Sequence, residues 1–282
     1  MTGGIVRPAR RPPGWVAPGP RPPESPPEAE FWPRPGEDLC WLSGDWRILQ
    51  RIDGHRWSLD DLLTAAVAAD ELRDRTPAQV ADLGCGIGTV LMMLAWRFPA
   101  ATVVGVEAQD TSVDLAQRSL RWNGVVGRCE IRHGDLRDTS LLPESGCFDL
   151  VTGTPPYFPC GTGTESGRPQ FGPCHFEHRG GLEDYCAAAA RLLRQDGVFV
   201  FCAGATQRDR VQAAVEGSGL TLHRRVEVVP RAGKAPLLSV HAAHLTTGLR
   251  PGLRDETLVV RDRDGQRTPA FQRLRREMGL PP

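Results

Sequence analysis

One stretch, Val80 to Leu94 (VADLGCGIGTVLMML), constrains this chain more than any other. It reads as a buried strand ending at Asp82-Leu83, a turn built on Gly84, Gly86 and Gly88, and a helix opening directly behind the turn. Glycines at alternate positions let the backbone approach a ligand and take positive φ where a side chain would clash. The first N–H groups of the helix have no partner inside it, and the positive end of its dipole lies there too. Strand, glycine turn and helix in this order form a cradle for a nucleotide-type cofactor. G-x-G-x-G is neither the G-x-G-x-x-G of dinucleotide sites nor a phosphate-binding Walker loop.

Around the cradle the pattern is regular. Apolar strands at 79–83, 102–107, 130–133, 148–152 and 198–202 alternate with helices at 89–98, 112–122, 182–193 and 208–217. Continuous apolar strands joined by helical crossovers predict a mostly parallel sheet covered on both faces. Two further β-rich runs, 221–229 and 237–245, read as an antiparallel hairpin closing the sheet edge, which makes seven strands in all. Ahead of the sheet, Trp46, Ile48, Leu49 and Ile52 suggest a hairpin. Ser58 is the expected N-cap of a helix running to about Arg73, with Leu62, Leu63, Ala66 and Val67 at helical spacing.

Residues 1–36 carry eleven of the 25 prolines, with arginine and glycine between them. Proline at this density blocks helix and sheet, so the tract is expected to be a disordered, partly polyproline tail. A solvated tail and a basic arm touching RNA are the two readings of it. The expected organisation is this tail, a cap segment over 37–76, and a catalytic domain over 77–282.

With 34 basic and 34 acidic residues the chain is formally neutral. Neutrality argues against a surface that grips nucleic acid all round but permits a local basic patch. The eight cysteines form no C-x-x-C pair and read as reduced thiols of a cytoplasmic protein. Cys160, Cys174, His175 and His178 fit no common zinc spacing, so no metal is expected. No apolar run is long enough to span a bilayer.

The candidate chemistry lies at strand ends. Glu107 ends the second strand, where a carboxylate can accept both ribose hydroxyls of an adenosyl group; a solvated strand-end acid is the alternative. Asp135 ends the third, where it can accept from an adenine amino group while Leu136 packs the ring. Asp82 ends the first, beside the expected place of a cofactor ammonium or of a water one layer behind it. The fourth strand runs into Thr154-Pro155-Pro156-Tyr157-Phe158. Two prolines there remove donors and leave carbonyls facing the cleft. The Thr154 hydroxyl and Pro155 carbonyl can accept the hydrogens of a planar –NH2 group, and Tyr157 or Phe158 offers a stacking face. Holding both hydrogens aims the nitrogen lone pair, so the work is alignment rather than base catalysis.

Taken in order, Asp-Leu-Gly-Cys-Gly-x-Gly, the strand-two Glu, the strand-three Asp and x-Pro-Pro-Tyr resemble class I S-adenosylmethionine methyltransferases of the amino-methylating group. Within it the chain is most similar to the bacterial tRNA adenine-N6 methyltransferases that act beside the anticodon. His55–Asp60, Phe176-Glu177 with Gly180–Tyr185, Val229-Pro230-Arg231 and Leu258–Thr268 carry that likeness, which covers about residues 45–270. The resemblance implies a Rossmann-like α/β fold and S-adenosyl-L-methionine as cofactor, held by Gly84, Gly86, Glu107 and Asp135. It also implies that Asp60 closes the methionine end.

Thr154 departs from the pattern, which has Asn there. An amide both accepts and donates, whereas threonine offers one short hydroxyl on a stiff β-branched stem. The acceptor is therefore adenine N6 in tRNA, or a protein glutamine or small-molecule amine; a non-catalytic cofactor-binding subunit is the third reading. Arg168, Arg179, Arg224, Arg225 and Arg231 are candidates for a basic rim around the cleft, and Arg273, Arg275 and Arg276 lie in an expected terminal helix. The insert Pro159–Pro173 is long enough for a lid.

Overall fold

The computed structural model describes residues 3–25, 27–158, 161, 176–246 and 252–282. Cys160, Cys174, His175, Arg168 and, apart from Gly161, the insert expected as a lid lie outside them.

The main sheet is built from β4 (Gln79–Leu83), β5 (Thr102–Glu107), β6 (Cys129–His133), β7 (Phe148–Gly153), β8 (Leu193–Gly204), β9 (Leu220–Val229), β10 (Leu238–Leu245) and β11 (Arg254–Val259). Its order is β11-β9-β10-β8-β7-β4-β5-β6. β4 to β8 pair in parallel, and β10 runs antiparallel between β8 and β9. The α/β fold is thus the one expected, with one strand more than the expected seven. β11 adds in parallel to β9, so the closing hairpin is not the sheet edge. Its sequence, RDETLV, is polar because an edge strand faces water.

Alternate residues of each strand serve two cores, as the pleat requires. Val198, Val200 and Cys202 of β8 point to one face, Phe199, Phe201 and Ala203 to the other. The first face is covered by α1 (Leu59–Glu71), α2 (Thr89–Arg97) and α3 (Asp110–Trp122), the second by α4 (Leu182–Leu192) and α5 (Arg208–Gly217). A last helix, α6 (Pro269–Glu277), is capped by the Thr268 hydroxyl, which accepts from Phe271 N–H. Apolar residues at i, i+3 and i+4 give α1 its buried stripe, and Asp61 closes its first turn by accepting from Ser58 N–H at 2.9 Å.

A second, three-stranded sheet holds the expected hairpin, β2 (Glu37–Trp41) with β3 (Arg47–Arg51), joined by β1 (Ile5–Val6) in parallel. Arg118 of α3 donates two bonds to Glu37, at 2.7 and 2.9 Å, and fastens the hairpin to the body.

The tract expected to be a disordered tail lies along the body instead. Beyond β1, Arg7 donates to Asp38 at 2.8 Å and Arg11 to Asp45 at 2.7 Å. Trp96 of α2 is met by Gly19 of this tract, by Gly44 of the hairpin turn and by Gly279 after α6, each so close that a Cβ would overlap the indole. The prolines exclude regular structure but leave an extended chain anchored by Arg and Trp side chains between them.

Candidate active site

The sheet order reverses between β4 and β7, since β5 and β6 follow on one side of β4 and β7 and β8 on the other. Ligands of open α/β sheets bind at the carboxyl ends of strands at such a point. A cleft opens there and encloses about 1100 Å³ of space continuous with solvent.

Its floor is the glycine turn. Gly84 and Gly86 take φ of +58° and +55°. A Cβ on Gly84 would overlap the Tyr185 hydroxyl, whereas one on Gly86 would meet nothing and project into open space. Tyr185, from α4, also fills the space beside Gly153, so it packs over the ends of β4 and β7, which stay paired at Leu83 and Gly153.

Glu107, at the end of β5, accepts from Gly86 N–H at 2.9 Å and from Gln109 N–H at 2.7 Å. It is 6 % exposed, and burial raises its pKa against the lowering by those two donors. Asp135 accepts from the Arg137 side chain and backbone, which hold its carboxyl below the ordinary value. Gly134 and Leu136 flank it in the wall.

The opposite wall is α1 and the diproline corner. Thr154, Pro155, Pro156 and Tyr157 line it with Asp60 and Asp61. The Tyr157 hydroxyl donates to Asp60 at 3.0 Å and lies 3.2 Å from Cys202 Sγ. Burial, then Cys202 and Asp60, push the phenol pKa far up. The Tyr157 carbonyl accepts from Gln207 Nε2 at 2.9 Å, which fixes the corner from behind. Among the described residues Thr154 Oγ1 has no hydrogen-bond partner. Phe158 is 49 % exposed and tilts against Phe176 at 5.9 Å.

The cleft thus gathers Asp60, Gly84, Gly86, Glu107, Asp135, Leu136, Thr154, Pro155 and Tyr157, all singled out from the sequence. Two others stand behind it. Gly88 is the left-handed N-cap of α2, with φ of +84°. Asp82 is 2 % exposed and accepts from Leu91 N–H at 3.1 Å and from the Thr152 hydroxyl at 2.8 Å. It therefore ties β4 to α2 and β7 rather than facing the cleft, and burial pushes its pKa up to about 7. The expected rim is also different. Arg179 lines the cleft, but Arg224 and Arg225 are buried and paired with Asp70, Glu71, Glu256 and Asp255.

Reasoning from sequence did not assign Asp61 or Tyr185 to this site. Asp61 is buried, with its pKa raised by burial and by Asp60 beside it. Nothing local marks Tyr185, which reaches Gly84 from a helix a hundred positions further on.

Four acidic side chains, Asp60, Asp61, Glu107 and Asp135, line the cleft against the single guanidinium of Arg179 among the described residues. Such a lining suits a cationic ligand. S-adenosylmethionine, with its sulfonium and ammonium, fits that charge, and the Cβ-free space over Gly86 fits close approach by its adenosyl part. Among the described residues no group of three or more His, Cys, Asp and Glu could hold a metal ion. The described cysteines Cys40, Cys85, Cys129, Cys147, Cys186 and Cys202 are free. No helix among those residues is long and apolar enough to cross a membrane.

Known proteins point the same way. Residues 80–164 match the family model described as a methyltransferase domain. The chain is 28 % identical over 226 residues to the tRNA1(Val) (adenine(37)-N6)-methyltransferase of Porphyromonas gingivalis, covering 78 % of this chain and 86 % of that protein. It is 31 % identical over 208 residues to the release factor glutamine methyltransferase of Mycolicibacterium smegmatis, covering 72 % and 66 %. Its fold is similar to a predicted O-methyltransferase, protein Atu636 from Agrobacterium tumefaciens, with a TM-score of 0.60, 22 % identity and coverage of 79 % and 98 %. A glycine cradle at the switch point of this sheet, matched by such relatives, places the chain in a family: it belongs to the class I S-adenosylmethionine-dependent methyltransferases, and S-adenosylmethionine is its cofactor.

Proposed function

We propose that this enzyme methylates an exocyclic amino nitrogen, and that the acceptor is adenine N6 in tRNA. One observation carries the reading: the Thr154–Tyr157 corner opens into the same cleft as the Gly84–Gly86 cradle. Bound S-adenosylmethionine supplies a methyl group on an electrophilic sulfonium. Gly84 and Gly86 would admit it, Glu107 would accept its ribose hydroxyls, Asp135 and Leu136 would take the adenine, and Asp60 would face the methionine end.

The rest is done by the corner. The Thr154 hydroxyl and the Pro155 carbonyl accept the two amino hydrogens, which draws the lone pair out of conjugation and aims it. The Tyr157 ring and the exposed Phe158 supply flat faces for a base. The Tyr157 phenol stays protonated because its pKa is raised, so it holds the corner to Asp60 and is not a base. The nitrogen sheds its proton after transfer.

Thr154 supports a second reading, a protein glutamine acceptor. A primary amide needs the same two acceptors and no two-sided reading of a base edge. The similarity to a release factor glutamine methyltransferase favours that acceptor too. The test is incubation with methyl-labelled S-adenosylmethionine and a cell extract, followed by separation of RNA and protein. Label in tRNA, recovered as N6-methyladenosine, is expected; label confined to protein overturns the tRNA assignment.

A further inference from the structure

Away from the cleft, the N-terminal tract builds a second concave site against the hairpin and the last residues of the chain. Its walls carry five arginines, Arg7, Arg10, Arg11, Arg56 and Arg275, and its lining among the described residues contains no carboxylate. It encloses about 1050 Å³ open to solvent. Two acids stand behind the wall: Asp38 accepts from Arg7 and Arg56, and Asp45 accepts from Arg11. These pairs orient three guanidiniums and leave N–H groups to spare, because each guanidinium carries five donors. Arg10 and Arg275 have no carboxylate partner among the described residues. In a chain of zero net charge, this surplus of positive charge is local.

Aromatic rings alternate with the cations. The Arg11 guanidinium lies 5.0 Å from the Trp15 ring and 4.1 Å from the Trp41 ring, and the Arg47 guanidinium also lies 4.1 Å from the Trp41 ring. Trp41 is thereby used up as structure. Trp15 and Trp57, both half-buried in the wall, keep ring surface toward the pocket.

The position relates this pocket to the cleft. His55 and Ser58 line the cleft, while Arg56 and Trp57 between them line the pocket. Four residues of chain, at most about 14 Å when extended, thus form a wall common to both.

We infer that the pocket is an RNA subsite, binding phosphates and a base of the strand next to the methyl-accepting nucleotide; the inference rests on the tRNA reading above. Guanidiniums pair phosphate oxygens bidentately, and bases stack on indoles whatever their sequence. An acidic peptide would satisfy the arginines and leave the indoles without flat partners. The tract at 1–36 is then the arm that completes the RNA site.

The test uses the full chain with S-adenosylhomocysteine and a fluorescein-labelled tRNA transcript, followed by anisotropy at several salt concentrations. Arg10 is exposed and pairs with no carboxylate among the described residues, so Arg10→Glu should fold normally. Its expected result is RNA binding weakened about tenfold, an equal rise in KM for RNA, and a salt slope shallower by roughly 0.7–0.9 per lost phosphate contact. Affinity for S-adenosylhomocysteine should not move. Arg10→Lys should recover most of the binding. Arg263→Glu makes the same charge change at another exposed position and should leave RNA binding unchanged. If Arg10→Glu binds like wild type, or if both reversals weaken binding equally, the pocket is not an RNA subsite, although wild type still methylates tRNA. If wild type neither binds nor labels RNA, the tRNA reading itself has failed.

Discussion

Tyr157 and Asp60 join two parts of the site that lie 97 positions apart in the chain: the phenol after the diproline corner donates to the carboxylate in the first turn of α1 at 3.0 Å. The bond ties the corner to α1. Removing the hydroxyl in Tyr157→Phe leaves the ring and frees its edge. A hydrogen bond to a charged group contributes about 1.5–3 kcal/mol, so kcat/KM for the acceptor should fall roughly 10- to 100-fold. Steady-state kinetics with tRNA, beside calorimetric titration of S-adenosylhomocysteine, would show whether the loss is confined to the acceptor side.

Gly84 and Gly86 should answer differently to the same added methyl group. Gly84→Ala forces a Cβ into the Tyr185 hydroxyl and strains a positive φ, so it should lose about 2–4 kcal/mol of stability. Gly86→Ala pays only the backbone strain, about 1–2 kcal/mol, but its Cβ enters the cleft and should abolish cofactor binding. Denaturant unfolding and calorimetry separate the two. Equal losses of stability would contradict the placement of Tyr185.

Glu107→Gln keeps the shape of the side chain but replaces one acceptor oxygen with a donor. One of the N–H groups of Gly86 and Gln109 then loses its partner, and a ribose hydroxyl loses a charged acceptor. Affinity for S-adenosylmethionine should drop at least about tenfold. Unchanged affinity would show that Glu107 serves the turn alone.

Thr154→Asn supplies the amide that can read a base edge from both sides. With adenine as acceptor, initial rates on tRNA should be kept or rise several-fold. A sharp loss with cofactor affinity intact would mean that the hydroxyl belongs to another acceptor.

Asp82 makes stability depend on pH. Its folded pKa, about 7, lies above the unfolded value near 3.9. The folded state therefore holds the proton more tightly between pH 4 and 7, and stability falls as pH rises through that window, by up to about 1.4 kcal/mol per unit. Asp82→Asn does not titrate. The difference in unfolding free energy between wild type and variant should shift in the variant's favour from pH 4.5 to 7.5. A constant difference would refute the raised pKa.

Much of this was legible in the chain because it is local. The β4–turn–α2 unit occupies nineteen consecutive positions, and its glycines announce the conformation they take. Pairings between distant segments left weaker traces. β11 carries Arg254, Asp255 and Glu256 and looks like a loop until β9 is seen beside it. The prolines of the first 36 residues hid anchors, Arg7 and Arg11, whose partners lie over thirty positions away. Which way Asp82 turns was not legible, because a strand buried on both faces gives no alternation to fix it. Tyr185 could be assigned only once α4 was known to cross behind Gly84.

Trp96 gives the fold a mechanical consequence. Its indole sits on the helix that follows the cofactor turn, and backbone from three remote places grips it without intervening side chains. A jolt to either extremity of the polypeptide is thus transmitted to the footing of the methyl donor. Shortening the chain at the front or the back should loosen S-adenosylmethionine even though neither extremity touches it.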